Sequence, residues 1–149
     1  MIVLLVLGIG ILITRIIGVA GVAALNSWPA SVRAGLAVML LFTASAHFTS
    51  MRHDLANMVP RIIPYSMAVI YFTGVCEILG AIGLLLPSTR LAAGVALIVL
   101  FVALLPANIR AANTGVTLRG KPATPLRLRV PMQLLFIGLT WWAAIASPR

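Results

Sequence analysis

Five long apolar stretches, separated by short connections with proline, glycine or basic residues, limit what this chain can fold into. A helix needs about 20 apolar residues, and no fewer than about 17, to cross the roughly 30 Å hydrocarbon core of a bilayer. The sequence predicts an all-α protein with a single transmembrane domain over residues 1–149. The predicted helices are residues 2–25, 34–50, 65–86, 91–110 and 131–146.

The low content of charged residues supports this prediction. Charged residues make up 9% of the chain and the mean hydropathy is +1.13, whereas a soluble domain carries about 25% charged residues. Most of the surface must therefore face something other than water. We expect the lipid bilayer to be the main partner of this protein.

Prolines and glycines mark the predicted joints between the helices. The segment Asn26–Pro29 ends the first apolar stretch, Ser31 can cap the second helix, and Pro131 fits the first turn of the last. The first stretch has no basic segment before it and is interrupted by Arg15, which is unlike a signal peptide. We therefore predict that it is a true helix.

The net charge of +9 comes from eleven Lys and Arg residues against only two acids, Asp54 and Glu77. The cations lie in short connections between apolar stretches rather than in a basic stripe with interleaved aromatics, so we expect no nucleic-acid partner. Seven of the eleven lie near the connections after the second and fourth helices. The positive-inside rule then predicts an inner (plasma) membrane protein with loops 51–63 and 108–130 in the cytoplasm.

Glu77 is the most informative single residue, because it lies inside the third apolar stretch. A charge at the bilayer centre is unfavourable by at least about 2.5 kcal/mol, so such a residue faces the bundle interior and finds a partner. One interpretation is a carboxyl that binds a ligand or handles a proton. The alternative is a packing carboxyl that fixes the arrangement of the helices.

Arg15 is the predicted partner of Glu77. At 1.5 Å per residue, Arg15 lies roughly 20 Å and Glu77 roughly 19 Å from the cytoplasmic ends of their helices. These matching depths predict a contact between the two side chains inside the bundle.

His47 and Asn108 are predicted to lie at one level of the bundle, roughly 10 Å closer to the cytoplasm than Glu77. The three side chains could line one polar cleft, and a histidine there can change its charge near neutral pH. Alternatively, His47 is satisfied by a carbonyl or a lipid head group, and Asn108 caps a helix. The spacing of His47, His53 and Asp54 matches no established ligand set, so no metal is expected.

Three further runs carry a resemblance to a known family. The runs are "AHF" at residues 46–48, "TGVCEILGAIGLL" at residues 73–85 and "PANI" at residues 106–109. In this order they resemble the DoxX family of small bacterial membrane proteins, over roughly Ala34 to Ala146. The resemblance implies a transmembrane four-helix bundle, to which the stretch 2–25 adds one extra N-terminal transmembrane helix.

The resemblance also implies a link to redox chemistry. The family is similar to the small quinone-handling subunit of thiosulfate:quinone oxidoreductases, and some members associate with oxidative-stress enzymes. Cys76 is the only cysteine, so the chain lacks the CxxC pair of other redox relatives. No prosthetic group is indicated by a motif, and a quinone is the one cofactor that the resemblance suggests.

Three functions are compatible with these observations. The first is a redox-associated accessory subunit that binds a quinone or other isoprenoid lipid between helices, through His47, Glu77, Asn108 and Arg15. The second is a non-catalytic anchor or scaffold for membrane or peripheral redox proteins. The third, a small transporter, is disfavoured because the chain shows no discontinuous repeats. The sequence assigns no catalytic residue.

Overall fold

The structure is a computed structural model that describes residues 2–118, 120–122 and 124–147. Its long helices are α1 (Ile2–Val19), α2 (Trp28–Phe48), α4 (Ser66–Leu85), α5 (Arg90–Asn113) and α6 (Leu126–Trp141), which a π-helical segment continues over Trp142–Ala146. The shorter elements are a 3₁₀ turn (Ala23–Leu25), helix α3 (Arg52–Met58) and the strands β1 (Thr117–Leu118) and β2 (Lys121–Pro122). The strands form one antiparallel hairpin in which Thr117 pairs with Pro122.

The predicted all-α fold is confirmed, since the hairpin is only a local feature of a connection. In the described part of the chain, five helical segments are long and apolar enough to cross a membrane: α1, α2, α4, α5 and Leu126–Ala146. Their outward faces carry large apolar side chains, such as Ile16 at 66% and Phe72 at 67% exposure. Such faces suit contact with lipid chains rather than with water.

Consecutive long helices pack antiparallel. Gly10 of α1 lies against Gly35 of α2, Gly80 of α4 against Leu97 of α5, and Gly94 of α5 against Ala144 beyond α6. The connections 49–65 and 114–125 therefore lie at one end of the bundle. We call this the basic end, and the end with connections 20–27 and 86–89 the opposite end.

Helix α2 lies at the centre of the bundle. Its side chains Leu36, Met39 and Leu40 are fully buried and form the core with Leu84 of α4 and Leu97 of α5. Helix α1 is mostly exposed and covers one face of α2. The central position of α2 places the polar side chains near its end inside the bundle.

Several predicted helix boundaries are wrong. The first helix ends at Val19 rather than at residue 25, and Gly21 then adopts a φ of +124°, which favours glycine.

The second helix begins at Trp28 rather than at residue 34, because Ser27 caps it by accepting a hydrogen bond from the Ala30 N–H at 3.3 Å. Ser31, the predicted cap, instead donates to the Leu25 carbonyl at 3.1 Å.

The last helix begins at Leu126, five residues before the predicted start at residue 131. Pro125 occupies the extended N-cap position, and Pro131 lies inside the helix. Because proline has no N–H, Pro131 leaves the Arg127 carbonyl without its helical partner but does not end the helix. The earlier start brings Arg129 into α6.

Candidate functional site

A cavity of about 660 Å³ lies among α2, α4, α5 and α6, in the half of the bundle nearest the basic end. We call it the central cavity. Its walls are largely apolar, with Met39, Leu40, Phe101 and Phe136 among them, and residues of α3 and of the hairpin lie over its basic end. Its volume falls within the range of about 300–1,000 Å³ that is typical of small-molecule sites.

One wall of the central cavity carries an acid–histidine pair. The Glu77 Oε1 lies 3.5 Å from the His47 Nε2, and both side chains are more than nine-tenths buried. The other carboxylate oxygen, Oε2, accepts a hydrogen bond of 2.7 Å from the Thr43 hydroxyl. The two side chains therefore line the same cavity, and their separation of 3.5 Å is much shorter than the roughly 10 Å difference in depth that the sequence predicts.

The partners of the imidazole define where its proton lies. The His47 Nδ1 is 2.7 Å from the Ile70 carbonyl oxygen, which can only accept, so Nδ1 carries a proton. The Nε2 then faces the Glu77 carboxyl, and two lone pairs would repel each other there. A proton between the two groups would relieve this repulsion, so His47 and Glu77 form a buried acid–base pair in the wall of the cavity.

Close contact between α2 and α4 holds this pair in place. A Cβ atom at Gly74 would lie 2.6 Å from the His47 Cβ, so only glycine permits this approach. The Thr73 hydroxyl lies 3.2 Å from the His47 Nδ1 and donates to the Ile70 carbonyl at 3.0 Å. The imidazole is thus fixed by contacts from α4 as well as by its own helix.

A second polar cluster lines the cavity from α5 and α6. The Arg129 Nη1 donates to the Asn108 Oδ1 at 2.6 Å, and its Nε donates to the Thr124 carbonyl at 3.1 Å. The Asn108 Nδ2 approaches the Gln133 Oε1 at 3.4 Å, and the Gln133 Nε2 donates to the Phe101 carbonyl at 2.6 Å. The cavity therefore combines a carboxyl on α4 with a guanidinium and two amides on α5 and α6.

The predicted contact between Arg15 and Glu77 is wrong. The Arg15 Nη1 donates to the Asn26 Oδ1 at 3.2 Å, and its guanidinium lies 5.1 Å from the centre of the Trp28 ring. Because α1 ends at Val19, Arg15 lies one turn from the opposite end of the bundle and not at its middle. Of the four predicted site residues, the structure brings His47, Glu77 and Asn108 to one cavity and places Arg15 outside it.

The sequence interpretation missed several polar residues of the site, four of which have a polar neighbour four residues away on the same helix. Thr43 and Thr73 each lie four residues before a predicted site residue, His47 and Glu77 respectively. Arg129 and Gln133 lie four residues from each other. Residues at this spacing share a helix face. A search for polar residues four positions apart within the apolar stretches would have found all three pairs, provided that the predicted last helix began early enough to include Arg129.

A metal centre has no support in the geometry. In the residues that the structure describes, no three His, Cys, Asp or Glu side chains converge on one point. Cys76 is a free thiol next to Glu77 in the sequence and is only partly buried. The site is thus one of hydrogen-bond donors, acceptors and an exchangeable proton.

Comparison with known proteins places the chain in a family without a described activity. No curated protein and no solved structure matches it. The family described as "Domain of unknown function (DUF8561)" matches residues 36–144, which include α4, α5, α6 and most of α2, and every polar residue of the central cavity. The match covers well over half of the chain, which therefore belongs to the DUF8561 family.

Proposed function

We propose that this chain is an integral protein of the bacterial inner membrane that binds an isoprenoid quinone, or another isoprenoid lipid, in the central cavity. The observation that carries the proposal is the buried His47–Glu77 pair facing an otherwise largely apolar cavity. An ionisable pair inside a membrane bundle is unfavourable unless it is used or compensated. A ligand with an apolar tail and a polar head group matches both parts of the lining.

The two polar clusters suit the head group of a quinone. Quinone carbonyl oxygens accept hydrogen bonds, and Arg129, Asn108 and Gln133 supply donors on one side of the cavity. Reduction of a quinone takes up protons together with electrons, and the His47–Glu77 pair is placed to hold such a proton. We therefore assign proton exchange to His47 and Glu77, and orientation of the head group to the α5–α6 cluster.

The arrangement of the helices supports a DoxX-like interpretation as a proposal. Helices α2, α4, α5 and α6 would form the four-helix bundle, and α1 would be the additional transmembrane helix. Of the nine basic residues that the structure describes, six lie at or next to the basic end. We propose that this end is cytoplasmic, and that the protein serves membrane or peripheral redox proteins as an accessory subunit.

The test is to identify what the purified protein retains. The full chain is purified in mild detergent, its bound lipids are extracted, and quinones and other isoprenoids are quantified by mass spectrometry. We expect about one isoprenoid per chain in the wild type and at least about a tenfold loss in Glu77→Gln, which keeps the size of the side chain but removes the carboxylate.

Arg15→Gln is the matched control, because it also replaces a charged side chain of the bundle with an amide but lies outside the cavity. It should retain the wild-type amount of ligand. A wild-type protein that carries only bulk phospholipid would overturn the proposal and favour a non-catalytic anchor. Equal loss in Glu77→Gln and Arg15→Gln would also contradict the assignment of the site.

A further inference from the structure

A second cavity, of about 530 Å³, lies at the basic end, outside the central one. We call it the rim cavity. It is lined by the end of α3, the connection to α4, the start of α4 and one residue of α5. The two cavities share the wall formed by Val59, Pro60 and Ile63.

The lining of the rim cavity is basic and contains no acid. Arg61 and Arg110 both line it, whereas the two acids of the chain, Asp54 and Glu77, do not. The Arg110 Nη1 donates to the Val59 carbonyl at 2.6 Å, which fixes this guanidinium at the wall. Within the described residues, the guanidinium of Arg61 forms no hydrogen bond or ion pair. Among the described residues, the rim cavity thus holds two cations and no acid that would neutralise them.

Further hydrogen-bond donors surround these cations. Asn57, Tyr65 and Ser66 contribute an amide and two hydroxyls to the lining. The first helical bond of α4 runs from the Val69 N–H to the Tyr65 carbonyl, and no side chain caps the preceding N–H groups. The start of α4 therefore adds partial positive charge to a site already defined by the two arginines.

The position of the rim cavity indicates where its ligand comes from. Ser66 begins a candidate membrane span, and next to the cavity Ile62 is 89% exposed. An apolar side chain so exposed beside arginines is the arrangement found at the level of lipid head groups. Arginine also matches phosphate oxygens with paired, charge-assisted hydrogen bonds.

We propose that the rim cavity is a binding site for a phosphate group, held by Arg61 and Arg110. The group belongs to an anionic phospholipid or to a free phosphate, which present the same oxygens to the two guanidinium groups. This inference does not depend on the quinone proposal, because it concerns different residues and a different ligand.

The test uses the full chain in mild detergent and native mass spectrometry. Phosphatidylglycerol, phosphatidylcholine and inorganic phosphate are titrated separately, and the bound fraction is measured for each. We expect saturable binding of phosphatidylglycerol or of inorganic phosphate, and about tenfold weaker binding of that ligand in Arg61→Gln. Arg61 is suited to this substitution, because it is exposed and forms no hydrogen bond or ion pair with any residue that the structure describes.

Arg127→Gln is the control, since it removes an equally exposed arginine at the same end but outside the cavity. It should bind within about twofold of the wild type. Arg110→Gln is measured as a second variant and should also weaken binding, with circular dichroism reporting whether its fold is kept. If Arg110→Gln unfolds, the comparison of Arg61→Gln with Arg127→Gln decides the test.

The outcomes also separate the two sources of phosphate. Binding of phosphatidylglycerol that excess inorganic phosphate does not displace assigns the site to a lipid, and displacement assigns it to free phosphate. The proposal is overturned if neither ligand binds above the level of phosphatidylcholine. It is equally overturned if Arg61→Gln and Arg127→Gln bind alike.

Discussion

Gly74 controls how closely α2 and α4 approach at the candidate site. A Cβ atom there would meet the His47 Cβ, which is fixed to the backbone and cannot turn away. The separation of the two helices at this level sets the distance between His47 and Glu77. A residue without a side chain therefore determines the geometry of the pair that carries the proposed chemistry.

We predict that Gly74→Ala destabilises the protein by about 1–3 kcal/mol, because it overpacks the contact between α2 and α4. The free energy of unfolding is measured by titration with SDS in mild detergent micelles. Gly138→Ala is the control, since no side chain or neighbouring helix in the described structure lies within 4 Å of the Cβ that it would add to α6. It should be neutral or stabilising by up to about 1 kcal/mol. Equal effects of the two substitutions would contradict the proposed role of Gly74.

The partners of Glu77 lead to a second prediction at the residue scale. Thr43→Val and Glu77→Gln should show a coupling energy of about 0.5–3 kcal/mol in a double-mutant cycle, because the two side chains share a hydrogen bond. Arg15→Gln and Glu77→Gln should instead be additive within about 0.5 kcal/mol, since Arg15 contacts Asn26. Coupling of Arg15 with Glu77 would contradict the structure.

At the scale of single elements, the end of the last helix depends on a contact with α2. Arg33 is only 8% exposed, and its Nη1 donates to the Ala143 carbonyl at 2.7 Å. Ala143 lies in the π-helical segment Trp142–Ala146. A charged donor from another helix thus stabilises the least regular part of this span.

We expect Arg33→Met to loosen the π-helical segment, because it removes this hydrogen bond while keeping a side chain of similar length. Hydrogen–deuterium exchange over residues 142–147 should become about tenfold faster, as expected for the loss of a hydrogen bond from a charged donor. Exchange in α4 should not change. Arg127→Met is the control on an exposed arginine, and a similar acceleration in that variant would show that the Arg33 contact is not responsible.

The elements also show what sequence reasoning could reach and what it could not. Length and hydropathy predict five helices, because these properties are local. Because it is unfavourable to bury a charged or polar side chain in a membrane, Glu77, His47 and Asn108 stand out in the sequence. All three line the central cavity. The start of α6 was missed because proline is common in the first turn of a helix, whereas Pro131 lies inside this one. The Arg15–Glu77 error arose because a matched depth does not ensure a contact: α1 packs on α2, and Arg15 contacts Asn26 and Trp28.

At the scale of the whole molecule, the alternating direction of the five candidate spans fixes which connections lie at the same end of the bundle. Antiparallel packing puts Asn57 and Gly115 at the basic end and Ser88 at the opposite end. The chain has a single cysteine, Cys76, which can be replaced by alanine to give a background without thiols. Cysteine labelling can therefore report the topology directly.

We predict that cysteines at Asn57 and Gly115 react with a membrane-impermeant maleimide only from the cytoplasmic side, and a cysteine at Ser88 only from outside. Intact cells and inverted membrane vesicles supply the two sides, and the variant without cysteine is the blank. Labelling of positions 57 and 88 from the same side would refute the five-span arrangement. Reversal of all three positions would preserve that arrangement and refute only the proposed orientation.

Helix α1 lies outside the region that defines the family, yet it helps to enclose the central cavity. The matched region begins at residue 36, whereas Ile2 and Val3 line the cavity and Leu7 is buried in the core. The family region and the set of residues that enclose the central cavity are therefore not the same. Two proteins that share this family region can therefore differ in the shape of this cavity, because a change in the first helix alters its walls without changing its polar residues.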